Sequence, residues 1–481
     1  MKLKKIISVL LCAVLAVSVS GCNGKSGTDS DGVPTVVWYV PGEKQADIDE
    51  VLEAVNAILE PEIGAKLDLR FIDQGSYTEK MNMIQASGEV FDLCFTGFVN
   101  PFNQACDKGA FMALDELVKT TPELLKEIPS WLLEAGKFKG ELYGIPNYQV
   151  VSGVQIPWIR TDLIEECGLD LSAIEDADDL EIIFEKIHQK RPDLYTWRST
   201  NGAQLWTKAR TSVTSGVFID VKDEDMTPML DIERKDFDHF ARKIRSWYEK
   251  GYIRSDAASV GDDNLDYVNG KYAVFQSVYK PSAEVELETT LGYDVTPIMI
   301  GEPIVTRDSC TAAMTAISRT SENPEAAVKL LEQVNTNKEL YNLLCYGIEG
   351  KHYEWIDDNH IKLNKEGGYY INASWKFGNQ FNAYLIEGMP DNVWEETIAM
   401  NEAAIKSPLL AFTFDTTPVT SEIAQFSAVN SEYGAMHNGS RPVDDYIGDY
   451  IDRMKKAGAD RILAEAQKQL GEYKKTLNGK D

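Results

Sequence analysis

The side chains in this sequence best placed for chemistry are aromatic rings set beside amides. Trp375-Lys376-Phe377-Gly378-Asn379-Gln380 places two flat rings next to an ammonium group and two amides. A saccharide presents apolar C–H faces and a rim of hydroxyls, so rings that stack and fixed polar groups that bond are what would hold one. The same chemistry recurs along the chain: Trp38 and Tyr39 close a β-rich run, Phe98 follows another, Tyr148 and Gln149 follow the Pro146 turn, and Trp158 ends a further run. Trp375, Asn379, Tyr148, Gln149, Phe98, Trp38, Tyr39 and Trp158 are therefore candidate ligand contacts. Each ring also has a second reading, because large aromatics dominate buried cores. Arg307, in Thr306-Arg307-Asp308-Ser309, reads as a structural pair with Asp308, the alternative being a guanidinium fork for hydroxyls or a carboxylate. Glu43 and Lys44 read as a solvated loop.

Catalytic patterns are missing from the same sequence. His188, His239, His352, His360 and His437 show no His-x-x-x-His or His-Glu-x-x-His spacing, so no zinc hydrolase site is predicted. Gly-x-Ser-x-Gly and Gly-x-Gly-x-x-Gly do not occur, and Gly24-Lys25-Ser26 lacks the upstream glycine of a phosphate loop. Paired carboxylates carry little weight among 76 Asp and Glu residues. Asp220-Val221-Lys222-Asp223-Glu224-Asp225 is acidic enough for calcium but lacks the loop glycine and terminal glutamate, and reads as a solvated turn. Cys94, Cys106, Cys167, Cys310 and Cys345 form no Cys-x-x-Cys and read as buried small hydrophobes, with a Cys94–Cys106 bridge the lesser alternative. The expectation is a binding protein and not an enzyme, with no cofactor and no metal.

The elements that must position these residues alternate. Residues 34–40 and 66–72 read as strands, 91–96 as a third, and apolar spacing from Ile48 to Leu59 and over 77–86 reads as helices between them. That order predicts an α/β fold with a parallel sheet, whose ligands bind at the carboxyl ends of the strands, in the loops after Val40, Ile72 and Thr96. Ahead of them lies a leader: Lys2, Lys4 and Lys5, an apolar run over 6–19, then Val19-Ser20-Gly21-Cys22. Residues 1–21 read as a lipoprotein signal peptide, Cys22 as the lipid-bearing first mature residue, and 22–32 as a flexible Gly- and Ser-rich tether. No later apolar stretch is long enough for a membrane helix, so the body is expected outside the cell on its lipid. A net charge of −28 disfavours nucleic acid and anionic surfaces as partners.

Several segments, taken in order, resemble the family 1 extracellular solute-binding proteins of ABC sugar importers, related to maltose-binding protein. They are Phe91-Asp92-Leu93, Phe95-Thr96-Gly97-Phe98, Gly109-Ala110-Phe111, Leu114-Asp115-Glu116-Leu117, Gly140-Glu141-Leu142-Tyr143-Gly144-Ile145-Pro146, Trp158-x-Arg160-x-Asp162-Leu163 and Asn323-Pro324-Glu325-Ala326-Ala327. Asn342 to Tyr353, Phe412-Thr413-Phe414-Asp415, Lys456-Ala457-Gly458-Ala459-Asp460 and Glu465-x-Gln467-Lys468-Gln469-Leu470 resemble the branch with an uncharacterised C-terminal domain. The resemblance implies a two-lobe, hinged, periplasmic-binding-protein-like (type 2) fold. Lobe one is expected at 33–147 and 279–330 and lobe two at 148–278 and 331–481, with crossovers near Pro146-Asn147, near 271–281 and near Leu331. It adds Tyr279, where the family often has Trp, to the candidate contacts. It also implies a small-molecule ligand, an oligosaccharide first, delivered by a monomer to ABC permease subunits. A peptide or a modified or acidic saccharide is the alternative ligand, and a surface glycan-binding lipoprotein without a transporter the alternative role.

Overall fold

The computed structural model describes residues 32–198, 205–206, 209–432 and 435–478, so the expected signal peptide, Cys22 and all but the last residue of the expected tether lie outside the described residues. The strand Thr35–Pro41 is the spine of the first sheet. A strand covered on both faces must be apolar at nearly every position, and here the two faces separate cleanly: Val36, Trp38 and Val40 enter one core while Val37 and Tyr39 enter another. Thr35–Pro41 pairs in parallel with Lys66–Ile72 and Leu93–Gly97. The connecting helices are Ile48–Ile63 and Tyr77–Ser87. Ile48, Val51, Val55 and Leu59 make the buried stripe of the first helix, at helical spacing. Asp92 is fully buried and fastens the sheet to a later helix: its carboxylate accepts from Val37 N–H at 2.9 Å, from the Ser321 hydroxyl at 2.6 Å and from Asn323 N–H at 3.2 Å, just before helix Pro324–Thr336. The Ala313–Ile317 strand, antiparallel to Leu93–Gly97, and Ile145–Pro146 complete a five-stranded sheet.

The second sheet has six strands, ordered Ile405–Lys406, Ile304–Val305, Ser152–Arg160, Tyr272–Tyr279 and Tyr195–Trp197, with Val295–Pro297 also paired to Ser152–Arg160. Its large core gathers residues from Ile159 to Ile300 together with Leu409 to Leu470. Two expected boundaries are corrected here. The chain stays with the second sheet through Ile304–Val305, because Val295–Pro297 turns back antiparallel onto Ser152–Arg160 (Val295 opposite Arg160), and it reaches the first sheet only at Ala313. Leu331 is no crossover: it is buried inside helix Pro324–Thr336, and residues up to Ala404 pack on the first lobe's core. The chain therefore passes between the sheets at 147–151, 306–312 and 407–408.

These crossings are tied to one another. Asn401, fully buried, accepts from Val151 N–H and Ser152 N–H at 3.1 Å each and from the Ser152 hydroxyl at 2.7 Å, and donates to the Gln149 carbonyl at 2.8 Å. Ser407 N–H donates to the Val305 carbonyl at 2.8 Å. Arg307 does not form the expected bond to Asp308. Its buried guanidinium donates to the carbonyls of Leu410 at 2.7 Å and Lys137 at 2.8 Å and to Asn103 Oδ1 at 3.2 Å, and burial lowers its pKa to about 10.

Candidate functional site

Trp38, Tyr39 and Trp158, which lie within paired strands, are consumed by the cores. Trp38 is fully buried, edge-on to Phe377 at 5.6 Å. Tyr39 is buried against Phe91 and donates its hydroxyl to Glu89 at 2.8 Å. Trp158 is fully buried in a small core on the other face of the second sheet, with the half-buried Tyr279 tilted against it at 6.2 Å. Tyr148 packs on Phe381 at 4.7 Å, where burial pushes its hydroxyl pKa up to about 12. Gln149 lends its carbonyl to Asn401, and Asn379 accepts from Phe381 N–H at 3.1 Å as the cap of a short turn. These seven were candidate contacts; the structure gives them packing and capping roles.

Phe98 and Trp375 are placed differently. At Gly97, φ is 145°, and a Cβ there would fall 2.1 Å from the Ala312 carbonyl oxygen, so only glycine permits the chain to approach so closely. The strand ends at Gly97, and Phe98 N–H donates to the Ala312 carbonyl at 2.9 Å, which turns the ring outward. Phe98 is 49% exposed although it is a large hydrophobe. Its ring lies 5.6 Å from Trp375, and Phe95 supports both at 5.5 and 6.0 Å. Trp375 is in turn fixed by its own backbone, whose carbonyl accepts from Asn147 Nδ2 at 2.8 Å. Buried Lys376 donates to the Pro41 carbonyl at 2.8 Å, its ammonium 5.6 Å from the Trp375 ring, and burial holds the amine below the usual lysine range. Two candidates far apart in sequence thus form one aromatic platform at the carboxyl ends of the parallel strands.

A cavity of about 470 Å³ lies against the second sheet. Gly153, Gln155, Val278 and Ile300 line it from the second sheet, Arg210, Thr211, Ser212 and Phe218 from a hairpin, and Thr306, Asp308 and Ser309 from the crossing between lobes. Thr306 and Ser309 cap each other: Ser309 N–H donates to Thr306 Oγ1 at 3.1 Å and Thr306 N–H to Ser309 Oγ at 3.0 Å. Ala312, whose carbonyl holds Phe98 N–H, follows three residues later in the chain. The charges in the cavity wall are mostly matched. Arg210 is ion-paired with Asp231 and lies 4.5 Å over the Phe218 ring, and Glu302 is bonded to Lys222 at 2.6 Å. A wall of hydroxyls, one amide and paired charges suits a neutral, hydroxyl-rich ligand.

Sequence reasoning missed the hairpin residues Arg210, Thr211, Ser212 and Phe218. The available signal was Ser215-Gly216 between alternating Arg210–Thr214 and Val217–Asp220, the spacing of a tight two-residue turn. The acidic turn at 220–225 closes on its own backbone, Asp223 accepting from Thr227 N–H at 2.8 Å. Among the described residues no group of His, Cys, Asp and Glu could hold a metal ion, and the five cysteines are free and buried. Burial raises the Cys106 and Cys310 thiols to about 12, out of the reactive range.

Comparison with known proteins agrees with this architecture. Residues 408–475 match a domain of unknown function, DUF3502. The chain is 28% identical over 476 residues to a carbohydrate ABC transporter substrate-binding protein of Streptococcus pneumoniae, covering 96% of each chain. It is 22% identical over 395 residues to the lipoprotein LipO of Bacillus subtilis, covering 75% of this chain and 76% of that protein. The N-glycan transport solute binding protein NgtS of Streptococcus pneumoniae superposes with a TM-score of 0.80 at 27% identity, covering 92% of this chain and 99% of that one. The same protein in complex with Man1GlcNAc and with Man5GlcNAc scores 0.68 and 0.66. By fold, by overlap with these relatives along nearly its whole length and by its DUF3502 segment, the chain is similar to the two-lobe extracellular solute-binding proteins of ABC sugar importers.

Proposed function

We propose that this chain captures an oligosaccharide outside the cell, held to the membrane through a lipid on Cys22, and delivers it as a monomer to an ABC permease. The observation that carries the reading is the Phe98–Trp375 pair at the strand ends, with Phe98 exposed, taken together with a cavity lined by both the second sheet and the crossing between lobes. A sugar ring stacks on the platform, and Gln155, Thr211, Ser212 and Thr306 bond its hydroxyls. Closure about the crossings at 147–151, 306–312 and 407–408 then completes the site, since a ligand favours the closed state only by touching both lobes. The NgtS comparisons support this movement: identity and coverage are the same for the three structures, yet the similarity is 0.80 for one and 0.68 and 0.66 for the two in complex with Man1GlcNAc and Man5GlcNAc, the direction expected if this chain is in an open arrangement.

The test is a thermal-shift screen with Man1GlcNAc, Man5GlcNAc, kestose and a set of di- and tripeptides. A ligand at one hundred times its dissociation constant stabilises the folded chain by about 2.7 kcal/mol. A shift with one saccharide series supports the reading; shifts with peptides alone overturn it.

A further inference from the structure

The cleft has a second boundary behind it, and that boundary is made by the domain of unknown function. Phe218 lines the ligand cavity and also a separate cavity of about 160 Å³. Beyond that second cavity stand Phe426, Tyr450 and Met454, all within the 408–475 segment. The hairpin turn rests directly on it: Gly216 has φ +70°, and a Cβ there would fall 2.2 Å from the ring of fully buried Phe426. The Ser215 and Ser427 hydroxyls meet at 3.1 Å. Arg210 lines the front cavity, whereas its ion-pair partner Asp231 lines the rear one and donates its N–H to the Gly216 carbonyl at 3.2 Å.

We propose that the DUF3502 segment is the support that sets the position of the Arg210–Asp220 hairpin, and so tunes the affinity of the cleft for saccharide. The idea rests on the oligosaccharide reading above for its ligand, and on packing alone for its mechanics. The segment is no appendage: Phe412, Phe426, Tyr450, Ile462 and Leu470 share one core with the rest of the second lobe. The hairpin and Met229–Leu230 make a small three-stranded sheet, which takes its stability largely from what it packs on. The Thr420–Asn430 helix, which carries Phe426 and Ser427, provides that surface. Phe426 never reaches ligand and is a positioning residue.

The experiment compares the full chain with Phe426→Ala and Phe426→Leu, measuring hydrogen exchange of residues 210–220 without ligand and the dissociation constant for whichever of Man5GlcNAc, Man1GlcNAc or kestose shifts the wild type. The expected result for Phe426→Ala is at least tenfold faster exchange confined to the hairpin and at least tenfold weaker binding, with Phe426→Leu recovering most of both. Unchanged exchange overturns the proposal, and so does faster exchange with wild-type affinity. Should Phe426→Ala fail to fold, Phe426→Leu and Ser427→Ala replace it, with smaller changes expected in the same two readouts and their absence counting against the support. A wild type that binds no saccharide defeats the oligosaccharide reading, while the ligand-free exchange still decides whether the C-terminal helix holds the hairpin.

Discussion

Trp38 and Trp158 differ from Phe98 and Trp375 in one respect that decides their roles. The first two sit inside paired strands of sheets covered on both faces, and both are fully buried whichever face they point to. The second two sit outside the strands, where no neighbouring strand or helix covers them completely, and they form a platform. In a doubly covered sheet a change of face moves a side chain from one core to another and never to solvent. For these four rings, exposure therefore begins only where strand pairing ends.

The comparison breaks if a strand tryptophan matters to binding more than to stability. Trp38→Ala is expected to cost about 3–5 kcal/mol in denaturant unfolding, through lost burial and the cavity left behind, while the folded fraction keeps wild-type affinity. Gly97→Ala tests the geometry that separates the two classes. The added methyl meets the Ala312 carbonyl, so a stability loss of about 2 kcal/mol is expected together with loss of saccharide binding in calorimetry, because Phe98 is turned from its place. Phe98→Ala sharpens the contrast. It should weaken saccharide binding roughly tenfold, about 1.4 kcal/mol, and change stability by less than about 0.5 kcal/mol.

The smallest effect asks whether the covered-core rule holds for an ionisable ring. His437 belongs to the C-terminal segment, and burial lowers its pKa from the ordinary histidine value. Between the folded value and about 6.5 the unfolded chain binds the extra proton, so stability rises with pH across that window and is lost as pH falls below about 6.5. His437→Gln should flatten the part of the melting-temperature profile between pH 7 and pH 5 that this residue supplies. An unchanged profile would place the ring in contact with water.

Much of the fold was legible because its signals are local. The alternation of residues 34–96 specified three strands and two helices, and these appear as Thr35–Pro41, Ile48–Ile63, Lys66–Ile72, Tyr77–Ser87 and Leu93–Gly97. The lobe boundaries were less legible. Whether Val295–Pro297 returns to Ser152–Arg160 or joins another sheet depends on a partner more than a hundred residues away, and nothing in three residues of apolar sequence specifies it. The site divided in the same way. Aromatic type was visible at Trp38, Trp158, Phe98 and Trp375 alike, but exposure was not, because it depends on where pairing stops and what covers the ring.

The sequence by itself determined the α/β alternation, the acidic character and the supply of aromatic and amide groups, all of which are properties of composition and short-range periodicity. Tertiary structure alone decided that Phe98 and Trp375 meet, that Arg307 bonds carbonyls at a crossing, and that a hairpin at 210–220 stands between the cleft and the C-terminal segment. The physical reason is the same in each case. These outcomes are set by contacts between residues roughly a hundred or more positions apart, and the free energy of such a contact depends on the packing around both partners, which no local pattern encodes.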